Sequence, residues 1–168
     1  MPAPRQPAST ATSPIRFRPP ELADGQHLWR LARDTEVLDL NSSYAYLLWC
    51  RDFADTSVLA TIDGDPAGFI TGYLRPGSPG SLMVWQVAVD TRYRGRRLAA
   101  SMLDHLVDRV GAHRLETTIT DDNEASIRLF IGFAQRRNAS CHRRPLFTAD
   151  LYPDGHETEH LYDIGPLR

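Results

Sequence analysis

A chain of 168 residues with 19 basic and 21 acidic side chains, for a formal net charge of −2, has no bulk positive potential to gather nucleic acid. Its hydrophobic fraction of 42% and charged fraction of 24% are those of an ordinary globular protein, and the length suits one domain better than two. Cys50 and Cys141 stand far apart without a metal-ligand partner at short spacing, and no stretch approaches about 18 apolar residues. The chain is therefore expected in the reducing cytoplasm, away from membranes and without a bound metal.

Residues 1–14 hold four prolines and no apolar core segment, and read as a disordered tail ahead of a single domain over 15–168. Ile15–Arg18 alternates as a short strand stopped by Pro19 and Pro20. Leu22–Arg33 places Leu28, Leu31 and Ala32 on one helical stripe, with Asp24 as the expected N-cap. A polar segment over 34–43 leads into the aromatic run Tyr44–Trp49, a second short helix expected to cover one side of a pocket. Ser57–Ile62 and Ala67–Leu74 form a hairpin across the turn 63–66, and 76–80 is a further turn. Ser81–Asp90 is nearly continuous in apolar residues, as a strand buried on both faces should be.

Arg97–Val110 is amphipathic, with Leu98, Met102, Leu103, Leu106, Val107 and Val110 on one face and Gly111 as its stop. Leu115–Ile119 is a strand, and Asp121 with Glu124 offers a capping box for a helix over 124–133. Two strands, 139–149 and 158–164, flank a turn at 152–156. The order of strands and helices predicts a mixed α/β fold: a central twisted mixed sheet flanked by helices.

Arg94-Gly95-Arg96-Arg97 lies where the apolar strand ends and the amphipathic helix begins. Free backbone amides, the helix dipole and three guanidinium groups make that junction suited to an anion such as a pyrophosphate. It is neither the nucleotide P-loop pattern nor the dinucleotide G-x-G-x-x-G fingerprint, and on spacing alone it reads equally well as a solvated loop.

Val87-Ala88-Val89-Asp90 followed by Arg94-Gly95-Arg96-Arg97-Leu98-Ala99 resembles motif A of the GCN5-related N-acetyltransferase (GNAT) superfamily, in which R/Q-x-x-G-x-G/A wraps the pyrophosphate of acetyl-coenzyme A. Asn123–Ser126 with Leu129 and Phe130 resembles the second cofactor-side helix. The resemblance implies the acyl-CoA N-acyltransferase fold, acetyl-CoA as cosubstrate, and a bulge around Val87–Val89 that splays two strands. It also implies a coenzyme site built from Val87, Ala88, Val89, Arg94, Gly95, Arg96, Arg97, Leu98 and Ala99, with Asn123 and Ser126 near the coenzyme tail; Asn123 reads alternatively as a helix cap. Arg97 replaces the usual glycine and is expected to adopt helical dihedrals. Phe130 replaces a tyrosine that protonates the leaving thiolate in many members, which leaves Tyr152, water or an unassisted departure.

Four blocks, 38–50, 84–95, 115–126 and 150–167, resemble the L-2,4-diaminobutyrate N-acetyltransferases of ectoine biosynthesis. That resemblance implies acetyl transfer from acetyl-CoA to the 4-amino group of L-2,4-diaminobutyrate by a homodimer. An alkylammonium has a pKa near 10.4 and must lose a proton before it can attack, so the acceptor pocket needs groups that attract a cation and take a proton. The candidates are Asp34, Glu116, Glu157, Glu159 and His156. Glu116, on the strand after the cofactor helix, is the first choice as base, with His156 and Tyr152 beside it in the catalytic set. Asp34 is expected to hold the 2-ammonium, Trp85 to cover the aliphatic part, and Asn41, Ser42 and Tyr44 to wall the substrate carboxylate, with His156 and Glu159 completing the pocket. The alternatives are an acetyltransferase of another small polyamine or protein amine, and a non-catalytic acyl-CoA-binding domain.

Overall fold

The computed structural model describes residues 14–168. The expected disordered tail lies, Pro14 apart, outside the described residues. The elements in chain order are β1 (Ile15–Arg18), α1 (Gly25–Asp34), α2 (Ser43–Asp52), β2 (Val58–Ile62), β3 (Asp65–Arg75), β4 (Ser78–Val89), α3 (Leu98–Val110), β5 (Arg114–Ile119), α4 (Glu124–Arg136), β6 (Ser140–Phe147) and β7 (Glu159–Gly165). This is the order expected from the sequence.

The strands form one seven-stranded sheet in the order β1-β2-β3-β4-β5-β7-β6. Each neighbouring pair is antiparallel except β4 and β5, which α3 joins by a crossover. Leu98, Met102, Leu103, Leu106 and Val107 bury the apolar stripe of α3. They pack with Phe130 and Phe133 of α4 against Val58, Ile70, Leu82, Val84 and Leu115 on one face of the sheet. Leu28, Leu31 and Ala32 of α1, with Tyr46 and Cys50 of α2, cover Leu59, Phe69 and Ala88 on the other. Helices on both faces explain why β2 and the middle of β3 are buried throughout instead of alternating. Gly68 of β3 admits α3 closely, since a Cβ there would stand 3.0 Å from Met102 Cε of α3 and 2.8 Å from the Ala88 carbonyl oxygen of β4.

Three local expectations are corrected. Asp24 stands at the N-cap position of α1, but its side chain caps nothing there. It turns back to accept from the Arg18 guanidinium at 2.6 and 3.0 Å and from the Glu21 amide at 2.7 Å, since an ion pair outcompetes a neutral cap. Asn123, not Asp121, caps α4, its Oδ1 accepting from the Ser126 amide at 3.2 Å. Asp121 is occupied by Arg143 of β6 and faces His160 at 3.3 Å.

The third correction concerns Arg97, whose φ of 58° and ψ of 25° are left-handed, not helical. A side chain in that region costs roughly 1–2 kcal/mol, which is why a glycine suits the position.

Candidate active site

β4 pairs with β5 only over Ser81–Val84, opposite Arg114–Thr117. Beyond that point β4 stays with β3 while β5 continues along β7 to Ile119, so the sheet opens between them. The cause is a bulge in β4. Thr71 pairs with Gln86 and the next residue of β3, Gly72, pairs with Val84, so Trp85 is the extra residue. The bulge lies before the Val87–Val89 segment where the resemblance placed it. It bends β4 away, and the Thr71 hydroxyl takes over a backbone bond by accepting from the Gln86 amide at 3.2 Å.

Two compartments occupy the opening. The larger, about 520 Å³, lies between the split strands, the α1–α2 loop and the β6–β7 loop, with Asp39, Asn41, Trp85, Thr118, His156 and Glu159 in its wall. The smaller, about 260 Å³, lies against Val87, Ala88, Val89 and Arg94. Val37, Leu38, Val87, Asn123 and Ser126 belong to both walls, so the two are ends of one cleft. The cleft is electrically polarised: Asp39, Asp122, Glu157 and Glu159 line the large end and Arg94 the small one.

The N-terminus of α3 adjoins the small end. Gly95 has φ 78°, turning the chain from β4 into the helix. The first intrahelical bond of α3 runs from the Ser101 amide to the Arg97 carbonyl, which leaves the amides of Leu98, Ala99 and Ala100 without intrahelical acceptors. Arg96 lies over the Tyr93 ring at 5.5 Å. These amides and guanidinium groups suit a chain of phosphates. Among the lining residues only Arg94 of this turn reaches the cavity wall; Leu98 faces inward and packs in the core.

At the large end His156 Nδ1 and the Glu157 carbonyl oxygen are 2.7 Å apart, so Nδ1 is the donor and Nε2 faces the cleft. Nε2 stands 3.4 Å from Asp39 Oδ2 and 3.8 Å from Glu159 Oε1. The bond to Glu157 and the two carboxylates favour the imidazolium, and raise the His156 pKa. Burial raises that of Glu159, a tendency that a hydrogen bond with Thr118 opposes. Glu159 Oε2 is buried without a hydrogen-bond partner among the described residues.

The expected acceptor-site residues are thus only partly brought together. Asn41, Trp85, His156 and Glu159 meet at the large end. Asp34 does not: it is exposed at the end of α1 and pairs with Arg33 at 2.7 Å. Tyr44 is two-thirds exposed on α2 and outside the wall. Glu116 is buried behind the wall and paired with Arg75 at 3.2 Å. Tyr152 stacks on His156 at 4.4 Å instead of lining the cavity, and burial raises its pKa. The residue missed is Asp39, five positions from Asp34 in the same polar loop; its setting in Leu38-Asp39-Leu40-Asn41 was the available signal. Among the described residues no group of three or more His, Cys, Asp or Glu is arranged to hold a metal, and no helix is long and apolar enough to cross a membrane.

The acetyltransferase (GNAT) family model matches residues 24–133, which contain α1, the split strands, the basic turn and all but the last three residues of α4. An L-2,4-diaminobutyric acid acetyltransferase of Streptomyces coelicolor is 59% identical over 165 residues, covering 95% of this chain and 97% of that protein. The chain belongs to the GNAT acetyltransferases, within the family of L-2,4-diaminobutyric acid acetyltransferases. A second such relative, from Streptomyces avermitilis, is 57% identical over 159 residues, with 91% of this chain and 89% of the relative covered. Among solved structures, the diaminobutyrate acetyltransferase EctA from Paenibacillus lautus, in complex with its substrate L-2,4-diaminobutyric acid and coenzyme A, superposes with a TM-score of 0.87. It is 40% identical, with 92% of this chain and 96% of that one covered. The split sheet and the basic turn of this chain are therefore those of a GNAT acetyltransferase fold.

Proposed function

We propose that the polarised cleft is where this acetyl-CoA-dependent enzyme transfers an acetyl group to the 4-amino group of L-2,4-diaminobutyrate, a step of ectoine biosynthesis. The observation that carries the assignment of the two ends is their opposite charge. Arg94, with the amides at the start of α3, suits the coenzyme phosphates; Asp39 and Glu159 suit ammonium groups. Acetyl-CoA supplies a thioester carbonyl carbon, and the free backbone of β4 past Val84 lies between the ends, where the Val87 amide is suited to polarise the acetyl oxygen.

Diaminobutyrate arrives with its amines protonated. Glu159 is the base: it lines the large end of the cleft, and its raised pKa narrows the gap to the ammonium. The neutral 4-amine attacks the thioester carbon, a C–N bond forms, and the tetrahedral intermediate collapses with cleavage of the C–S bond. The nitrogen gives up two protons in becoming an amide: the one taken by Glu159 before attack passes on to solvent, and the second, lost as the intermediate collapses, ends on the departing thiolate as the coenzyme thiol. Asp39 and His156 hold the charge of the second ammonium and of the substrate carboxylate, respectively, with Asn41 beside them and Trp85 over the methylenes. The enzyme is taken to act as a cytoplasmic homodimer, as its family resemblance implies.

The test is product analysis with a panel of amines and acetyl-CoA. N4-acetyl-L-2,4-diaminobutyrate formed in preference to acetylated polyamines or peptides is the expected result. Preference for a polyamine or peptide, or tight acyl-CoA binding without turnover, would overturn it.

A further inference from the structure

The α1–α2 loop that carries Asp39 has little structure of its own. The Thr35 hydroxyl accepts from the Leu38 amide at 3.4 Å, Glu36 is left-handed at φ 56°, and Asn41 donates to the Asp39 carbonyl at 3.4 Å. Leu38 packs beside the core formed by α1 and α2. Among the described residues, one hydrogen bond joins the backbone of 36–41 to the sheet: Gln86 Nε2 donates to the Asp39 carbonyl at 2.9 Å.

Gln86 is built for that bond. It follows the bulge residue Trp85, is only 5% exposed, and its other amide atom, Oε1, accepts from the hydroxyl of fully buried Tyr46 at 3.0 Å. A carbonyl oxygen cannot donate, so the Asp39 carbonyl demands the NH2 side of the amide, and the Tyr46 hydroxyl satisfies the opposite side. A buried chain of this kind, from α2 through β4 to the loop, fixes all three relative to one another.

We propose that Gln86, oriented by Tyr46, is a positioning residue of the acceptor site. It pins the backbone of Asp39 to the bulged strand and so sets the Asp39 carboxylate opposite His156 across the cleft. The bulge that opens the sheet and the loop that closes over the opening are thereby one construction. This inference rests on the reading that Asp39 binds a substrate ammonium.

The test is a double-mutant cycle of Gln86→Glu and Asp39→Asn, read by calorimetric affinity for diaminobutyrate and by steady-state kinetics in both substrates. Gln86→Glu keeps an acceptor for Tyr46 but sets a carboxylate against the Asp39 carbonyl. Loss of that bond is expected to weaken diaminobutyrate binding about fivefold or more, with the KM for acetyl-CoA moving less. In the Asp39→Asn background the same change is expected to cost under about twofold, because the carboxylate it positions is gone. Full additivity, or an equal rise in both KM values, would overturn the proposal. If Asp39→Asn alone leaves diaminobutyrate affinity unchanged, the reading of Asp39 fails; if it weakens binding while Gln86→Glu does not, only the positioning role fails. Should Gln86→Glu not fold, Tyr46→Phe, which frees the amide to reorient, runs the same cycle with a smaller expected effect in the same direction.

Discussion

Trp85 stacks on Trp49 with ring centroids 4.8 Å apart and planes 18° from parallel. Trp85 is the extra residue of the β4 bulge and Trp49 belongs to α2, so the stack ties the point where the sheet splits to the helix that follows the Asp39 loop. Phe53 lies 4.7 Å from Trp49, and Tyr73 of β3 lies 6.2 Å from it. Stacked aromatic pairs contribute about 0.5–1.5 kcal/mol beyond the area they bury. Trp85→Ala is expected to lower the unfolding free energy by about 1–2 kcal/mol and to raise the KM for diaminobutyrate, with Trp85→Phe recovering most of both. Denaturant unfolding with matched kinetics checks this; an unchanged KM would remove Trp85 from the acceptor pocket.

Glu159 and Glu116 are separable by their surroundings. Glu159→Gln is expected to lower kcat by about a hundredfold or more, the usual scale for a general base. Glu116→Gln disturbs the pair that buried Glu116 makes with half-exposed Arg75, so its main effect is expected on stability, about 1 kcal/mol, with a much smaller change in kcat. The reverse outcome would restore Glu116 as the base.

The same assignment fixes a pH dependence. Burial raises the Glu159 pKa, so as pH falls the carboxylate is protonated above the ordinary range and can no longer accept the ammonium proton. kcat/KM for diaminobutyrate should therefore decline on the acid side through that raised pKa. A pH–rate profile measures it, and in Glu159→Gln this acid limb should be absent. Its persistence there would assign it to another group.

Arg94 is the one guanidinium of the basic turn in the cavity wall. Arg94→Ala is expected to weaken acetyl-CoA binding about five- to tenfold while leaving diaminobutyrate affinity within about twofold. Calorimetric titration of each ligand distinguishes this from a general loss of structure, in which both affinities would fall.

Arg97 bears a left-handed backbone at the N-cap of α3. Arg97→Gly is expected to raise unfolding free energy by about 0.5–1 kcal/mol, the relief of that conformation less the greater freedom of glycine in the unfolded chain. Thermal and denaturant unfolding measure it; destabilisation would mean that the Arg97 side chain contributes more than its backbone costs.

The order of elements and the core stripe of α3 were legible because apolar periodicity is a local property of sequence. The basic glycine-containing turn between a strand and a helix was legible too, and its Arg94 lines the small end of the cleft. The acceptor end was not, for three physical reasons. A loop has no period, so nothing local separates Asp39, which lines the cleft, from Asp34, which does not. β5 is buried on both faces over Leu115–Thr117, so no alternation reveals that Glu116 points to Arg75 instead of the cavity. The bulge at Trp85 is a relation between two strands, visible only in their pairing. The left-handed Arg97 falls in the same class, since nothing in its side chain announces the conformation that the turn demands.

The most direct measurement is a crystal structure of the ternary complex with L-2,4-diaminobutyrate and coenzyme A. The result expected is the 4-amino nitrogen within hydrogen-bonding distance of Glu159, with the other ammonium on Asp39 and the pyrophosphate at Arg94 and the first turn of α3. A 4-amino nitrogen seated instead on Glu116, with neither Asp39 nor Glu159 touching a ligand nitrogen, would contradict the assignment of the acceptor end.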